Sequence, residues 1–365
     1  MDEIKICKLC LMPSSRPRVT FNENQICNAC EYIANKKKID WDERKKEFLE
    51  LCEQNRSKTG EYDCIVPWSG GKDSSSIAYK LKFEYGMNPL LVTFSPLIPT
   101  KIGHNNRNKL INSGFDNYFF APNTKVSKYL SKRFFFERGN PKIHWDAGVN
   151  CLPVHVAVEK NIKLIFFAEH GESEYGGKIL KKDSDKTRDL DEVLENQVGD
   201  ISENWVDDIV SNLDLNMYKY PDLNLIKEKK IKAYYFSYFF KWDVFENFKY
   251  CKEKFNFETN KNRISGTFQN YDSMDDHIDH LYYYMQYIKF GFGRCLRDVA
   301  RLIQKNHLDK EEGIEYIKKY DGEFPNENLD KVLNFLEIDL VKLNEIIDLH
   351  RNKEIWEKKN NILEK

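Results

Sequence analysis

Apolar and polar positions along the chain follow two rhythms. Short runs that are almost wholly apolar fall at Asp63–Trp68, Pro89–Phe94, Asp116–Phe120 and Ile162–Ala168, and each reads as a strand. Between them the pattern turns helical over Ser75–Lys82, Asn105–Ile111, Val126–Phe136 and Val154–Glu159. Strands that are apolar on both faces and alternate with helices predict an α/β fold, a parallel sheet covered by helices on both sides. Ligands of such sheets sit beyond the carboxyl ends of the strands. That rule gathers Ser69–Ser74, the end of Val92–Phe94 and the segment after Ala168 around one crevice.

Outside this core the rhythm changes. From Ile33 to Gln54 the chain is charged and periodic, with Trp41, Phe48 and Leu49 as anchors, and predicts one or two linking helices. Lys182–Asn204 has few apolar positions and reads as a loop or lid. Ala233–Phe240 is strongly aromatic and reads as a strand or short helix; it could cover the substrate, but such a run is more often core than a binding platform. From Leu308 onward apolar residues recur among charges as in a helical bundle. The predicted division is 1–50 for an N-terminal module and linker, 51–185 for the α/β domain, 186–300 for a covering region and 301–365 for C-terminal helices.

Composition narrows the function classes. The 365 residues carry 57 Lys and Arg against 58 Asp and Glu, a net charge of −1, without the basic excess expected of a nucleic-acid binder. Nowhere do about 18 apolar residues follow one another, so no membrane span is expected. Met1-Asp2-Glu3-Ile4-Lys5 contains no apolar signal core, and a cytoplasmic location is expected. Nine cysteines in such a compartment point to metal or catalysis before disulfides.

Four of them are patterned. Cys7-Lys8-Leu9-Cys10 and Cys27-Asn28-Ala29-Cys30 form two C-x2-C knuckles whose spacing suits zinc. Four thiolates leave a tetrahedral Zn²⁺ no open position, so this site is expected to be structural.

The segment with the clearest chemistry is Ser69-Gly70-Gly71-Lys72-Asp73-Ser74, between a predicted strand and a predicted helix. Paired glycines let backbone approach a ligand closely, and the helix start offers free N–H groups to an anion. Serine hydroxyls and the Lys72 ammonium complete a phosphate cradle. Neither G-x-x-x-x-G-K-[ST] nor G-x-G-x-x-G occurs here. A second candidate stretch is Glu169-His170-Gly171-Glu172-Ser173-Glu174-Tyr175-Gly176-Gly177, rich in carboxylates just past a buried strand. Lys142, His144, Asn150 and Cys151 border the expected crevice, although a core role suits His144 and Cys151 equally well. His277 and His280 lie three apart in an acidic segment, a pattern that an ordinary helix start explains better than a metal site. Gly291, Gly293 and Arg294 combine glycines with a cation, and Arg294 is taken as a phosphate contact.

Ser-Gly-Gly-Lys-Asp-Ser resembles the signature of the PP-loop ATP pyrophosphatases (adenine nucleotide alpha hydrolase-like fold), which cleave ATP between the α and β phosphates. The ordered set of motifs is similar to that of the PseA/WbpG-type N-acetyl sugar amidotransferases of bacterial surface-glycan biosynthesis. That set comprises the Cys knuckles with Arg16-Pro17 between them, Tyr62–Pro67, the loop, Glu174–Gly177, Phe239-Phe240-Lys241-Trp242-Asp243 and Lys289–Arg294. The stretch Ala168-Glu169-His170 departs from the Gly-Glu-Asn-like step expected of the family.

The resemblance implies ATP, Mg²⁺ and structural Zn²⁺, and formation of an acetamidino sugar for flagellin glycan (pseudaminic acid) or O-antigen. Expected catalytic residues are Lys72, Asp73, Glu169, Glu172 and Glu174. Expected ATP or pyrophosphate contacts are Ser69, Gly70, Gly71, Lys72, Asp73, Ser74, Thr93 and Arg294, with Asp73 on Mg²⁺. Asn150, His170, Tyr175, Gly176 and Trp242 are the expected substrate residues. Asp2, not Cys, follows Met1, and no nucleophile elbow is evident. Ammonia is therefore expected from a separate glutaminase subunit, of the kind that serves imidazole glycerol phosphate synthase. Two alternatives stand beside this reading: a PP-loop tRNA-thiolating enzyme, and a non-catalytic zinc-ribbon and nucleotide-binding module. Cys64, Cys151, Cys251 and Cys295 are isolated in sequence, whereas thiolation calls for paired catalytic cysteines.

Overall fold

The computed structural model describes residues 4–179, 185–188, 193, 199–359 and 362–364. Five strands form one sheet: β1 (Cys64–Pro67), β2 (Pro89–Phe94), β3 (Asn117–Phe120), β4 (Leu164–Phe167) and β5 (Lys232–Tyr235). Their order is β3-β2-β1-β4-β5, and every pairing is parallel. The chain steps outward from β1 through β2 to β3, then returns to place β4 on the other side of β1. The switch point between β1 and β4 is where a ligand crevice opens in such sheets.

Alternation along the strands supplies both faces. Ile65, Leu90, Val92, Phe94, Ile165 and Phe167 pack against the helices Thr124–Arg138 and Ile143–Lys160. Cys64, Val66, Leu91, Leu164 and Phe166 face the opposite layer, built from the helices Trp41–Asn55, Lys72–Phe83 and Lys101–Asn112. The helices Asp279–Phe290, Leu329–Leu336 and Leu340–His350 form a further core that joins the domain at Phe135.

Two sequence expectations change, and a third is resolved. The aromatic run at 233–240 takes the core reading. Its first half is β5, its second a single helical turn (Phe236–Phe239), and Tyr235, Phe236 and Phe239 are all buried in the core. The helix expected over 154–159 starts eleven residues earlier and contains Pro153. An interior proline costs about 3 kcal/mol, and burial of Ala147, Cys151, Leu152, Val154 and Val156 offsets it. The helical reading of the C-terminus ends at His350. Beyond it, Glu357–Lys359 and Ile362–Glu364 pair as antiparallel strands, because too few apolar positions remain to bury another helix. Much of the loop expected at 182–204 lies outside the described residues. Among the described residues, no helix is long and apolar enough to cross a membrane.

Candidate functional site

β1 delivers the chain to the switch point. Trp68 is buried there, with its indole N–H on Ser75 Oγ at 2.8 Å. Gly70 then takes a positive φ of 95°, and Gly71 caps the helix Lys72–Phe83 without a side chain. The N–H groups of that helix's first turn have no intrahelical acceptor, and the positive end of its dipole faces the same way.

Ser69, Gly71, Lys72, Asp73 and Ser74 line a cleft of about 320 Å³. Its other wall comes from distant parts of the chain: Lys142, Trp145 and Asp146 from one helix, then Asp272, Ser273, Asp275, Asp279, Tyr282 and Tyr283. Lys72 is buried, and its ammonium lies 2.8 Å from Asp73 Oδ2 and 2.7 Å from Asp272 Oδ1. Burial alone lowers a lysine pKa, but Asp272 and Asp73 outweigh it and raise that of Lys72. Asp272 also meets Arg297 at 2.9 Å, and Arg297 reaches Asp298, which accepts from Thr267. Despite burial, Lys72, Arg297 and Arg301 hold the Asp272 carboxyl below its usual range. Lys142 pairs with Asp279 and stands over the Trp145 ring at 4.1 Å. Burial pushes Asp146 up to about 7, with Lys142 opposing and Asp279 adding to the rise. Asp275 is also raised to about 7, by burial and by Asp279.

The expected site residues separate into three groups. Ser69, Gly71, Lys72, Asp73 and Ser74 meet in the cleft, and Gly70 shapes the loop. Arg294 is buried beneath it and donates to the Asp272 carbonyl. Thr93 lies wholly below the loop and donates to Trp68 O at 2.7 Å, so it supports the cradle from underneath.

A second group forms a relay near the loop. The Trp242 indole N–H reaches Tyr175 Oη at 3.2 Å, and that hydroxyl donates to Glu169 Oε1 at 2.9 Å. Arg301 covers the Tyr175 ring at 3.7 Å. Burial, reinforced by the Asp73 charge, raises the Glu169 pKa to about 7.

The third group points elsewhere. Glu172 bonds Arg18 at 2.9 Å and the Lys178 N–H at 2.9 Å. Glu174 is buried against Lys36, with Lys305 3.8 Å away. At Gly176 (φ +80°) a Cβ would stand 2.8 Å from Asn28 Oδ1, so glycine admits the N-terminal module. His170 accepts or donates at Ser173 Oγ, 2.6 Å away, and burial lowers its pKa to about 4. Asn150 faces a second cavity of about 370 Å³, with Cys151 and Tyr218. Glu172 and Glu174, expected among the catalytic residues, stand in ion pairs that clamp one segment to another. His277 contacts Lys331, and neither it nor His280 lines the cleft. Asp275 and Asp279 of their segment do.

The N-terminal module is a candidate metal centre. The Sγ atoms of Cys7, Cys10, Cys27 and Cys30 lie within 4.8 Å of one another, and all four residues are buried. Cys7 and Cys30 are 3.9 Å apart and Cys10 and Cys27 3.5 Å, near the roughly 3.8 Å edge of a tetrahedron with Zn–S bonds of about 2.3 Å. The donors fit a structural zinc. For Mg²⁺ the cleft offers carboxylate oxygens, the donor type that ion takes alongside phosphate. Asp73 is engaged by Lys72 and, at 3.0 Å, by Asn247, and each of its oxygens retains a lone pair.

Comparison with known proteins bears on the wall opposite the loop. Residues 228–365 match the family described as LPS biosynthesis protein WbpG-like, C-terminal domain. This portion of the chain is similar to proteins of lipopolysaccharide biosynthesis. It contains Asp272, Asp275, Asp279, Arg294 and Arg297, and the match supports a role in glycan biosynthesis. An uncharacterized protein of Methanocaldococcus jannaschii is 32% identical over 87 residues, which span 24% of this chain and 31% of that protein.

Proposed function

We propose that the chain is an ATP-dependent amidotransferase. It adenylates the N-acetyl group of a nucleotide-linked or nonulosonate sugar, releases pyrophosphate and uses ammonia to form an acetamidino sugar for a bacterial surface glycan. The observation that carries this reading is the Ser69–Ser74 loop, a Gly-Gly turn opening a helix at the switch point with buried Lys72 beside it. The cleft's far wall belongs to the portion similar to glycan-biosynthesis proteins.

An amide carbonyl is a poor electrophile, and its oxygen is a poor leaving group. In the proposed reaction the acetamido oxygen attacks the α-phosphorus of ATP, the bond to the β-phosphate oxygen breaks, and pyrophosphate leaves. Ammonia then adds to the imidate carbon, and AMP departs with the former acetamido oxygen. The loop N–H groups and Lys72 offset charge growing on pyrophosphate. Asp73 would hold Mg²⁺, which would supply neutralisation of part of the triphosphate charge. Glu169, with a pKa of about 7, suits removal of the proton from ammonium or the adduct. A separate glutaminase supplies the ammonia, and the reaction belongs in the cytoplasm. Cys64, Cys151, Cys251 and Cys295 are each buried, which favours this chemistry over thiolation.

The test is pyrophosphate and AMP release from Mg·ATP and ammonium, comparing UDP- and CMP-linked N-acetyl sugars, free nonulosonates and bulk tRNA. Sugar-dependent release is expected, with a product about one mass unit lighter as oxygen is exchanged for NH. Lys72→Ala should lower the rate by about 10²–10³. ADP as product, or release only with tRNA, overturns the reading.

A further inference from the structure

Arg107, on the helix Lys101–Asn112, is only 7% exposed, yet its Nη1 is buried without a hydrogen-bond partner. Among the described residues its guanidinium makes no ion pair. Burial lowers its pKa, and Asp275 is the one charge that opposes this. A buried, unsatisfied charge is costly and calls for a partner.

The position of the side chain says which partner. A Cβ on Gly70 would stand 2.5 Å from Arg107 Cγ, so the phosphate loop is glycine there both for its φ of 95° and to admit this stem. One turn earlier on the same helix, a Cβ on Gly103 would stand 2.7 Å from the Asp275 Cα. Asp275 lines the same cleft as Ser69, Gly71 and Lys72. Arg107 thus packs its stem against the loop at Gly70, and its helix, at Gly103, packs against Asp275 of the acidic wall. The Phe119 ring, 5.7 Å from Cζ, provides an aromatic flank.

We propose that Arg107 is a second cation of the phosphate cradle, whose guanidinium completes its hydrogen bonds on oxygens of the triphosphate and of the departing pyrophosphate. This rests on the loop being a phosphate site, as read above. Arginine suits the task because its planar fork grips two oxygens of one phosphate. Lys72 is already committed to Asp73 and Asp272, so Arg107 is the cation with donors to spare.

The probe is inorganic pyrophosphate with Mg²⁺, titrated calorimetrically into wild type, Arg107→Gln and Arg107→Lys, with melting curves with and without ligand. Arg107→Gln should weaken pyrophosphate binding about 10- to 100-fold, as expected for losing one or two charge-assisted hydrogen bonds. Arg107→Lys should recover part of that loss. Without ligand, Arg107→Gln should melt at or above the wild-type temperature, because an unpaired buried charge has gone. The pyrophosphate-induced rise in Tm should shrink. A residue needed only for packing gives the opposite pair: a lower ligand-free Tm and an unchanged pyrophosphate affinity, which overturns the proposal. If wild type binds no pyrophosphate, the phosphate reading falls and takes Arg107 with it. If wild type binds and Arg107→Gln binds equally, Arg107 alone is excluded.

Discussion

Two loops flank the switch point, one after β1 and one after β4, and both combine glycines with charged residues. The loop after β1 turns Ser69, Lys72, Asp73 and Ser74 into the cleft. The loop after β4 keeps only Glu169 near Asp73, and spends Glu172 and Glu174 on Arg18 and Lys36 of the N-terminal module. The difference lies in what covers each loop. The first is roofed by polar side chains from 272–283. The second is gripped by the cysteine module, which also rests on Phe292, Leu296 and Ala300. Which carboxylates after β4 stay available for chemistry thus depends on which of them the neighbouring module takes into direct ion pairs.

The largest effect is expected where the clamp is anchored. Cys10→Ser should abolish zinc binding and cost on the order of 5 kcal/mol or more, since metal affinity in such sites is folding free energy. Asn28 donates to Gly177 O at 2.9 Å, and Ser15 to Phe290 O at 2.6 Å, so the loss should spread to the loop after β4 and lower pyrophosphate release. Metal analysis and thermal melts check this. A zinc-free variant with unchanged Tm and rate would break the contrast between the loops.

Next comes Glu174→Gln. Lys36 is 8% exposed, and burial lowers its pKa against the pull of Glu174. Removing one member of a buried pair strands the other, at about 3 kcal/mol. Denaturant melts should show that loss, while pyrophosphate release per folded molecule stays the same. A rate collapse in a stable variant would return Glu174 to the chemistry.

Glu169→Gln should do the reverse, lowering the rate about 100-fold with little change in stability. As a base Glu169 must be ionised. The wild-type rate should therefore rise with pH through about 7, the value to which burial and Asp73 raise it. The Gln variant should lack that limb. A parallel pH profile in both proteins would remove Glu169 from proton transfer.

The sheet, the loop and the cysteine knuckles were legible because each is local. A strand needs only its own apolar run, and a C-x2-C knuckle only four residues. The opposite wall was not legible for the complementary reason. Asp272 meets Lys72 across 200 positions, and nothing near Asp272 in sequence announces the lysine. The acids of 275–279 did stand out, but they read as the first turn of an ordinary helix. The ion pairs of Glu172 and Glu174 were not legible either, because a carboxylate looks the same in sequence whether it faces a substrate or a cation. Arg107 gave no signal at all, since its anomaly is the absence of a partner, visible only once its neighbours are placed.

The smallest effect sharpens the comparison most. The Arg18–Glu172 pair is partly exposed, with Arg18 34% and Glu172 14% accessible at the side chain. Partly exposed pairs contribute about 0.2–1 kcal/mol, and salt screens them. Glu172 Oε2 also accepts the Lys178 N–H, a bond that Gln can retain through its own oxygen. Glu172→Gln should therefore cost less than about 1 kcal/mol, lose even that at high salt, and leave the pH–rate profile on its wild-type course. Measured beside Glu169→Gln, it asks whether two carboxylates three residues apart can have unrelated tasks. Burial and Asp73 raise the pKa of Glu169 against the pull of Arg301, whereas Glu172 is bonded directly to Arg18, so only the replacement of Glu169 should reshape the profile. A comparable rate loss at Glu172 would mean that the clamp and the chemistry are one device.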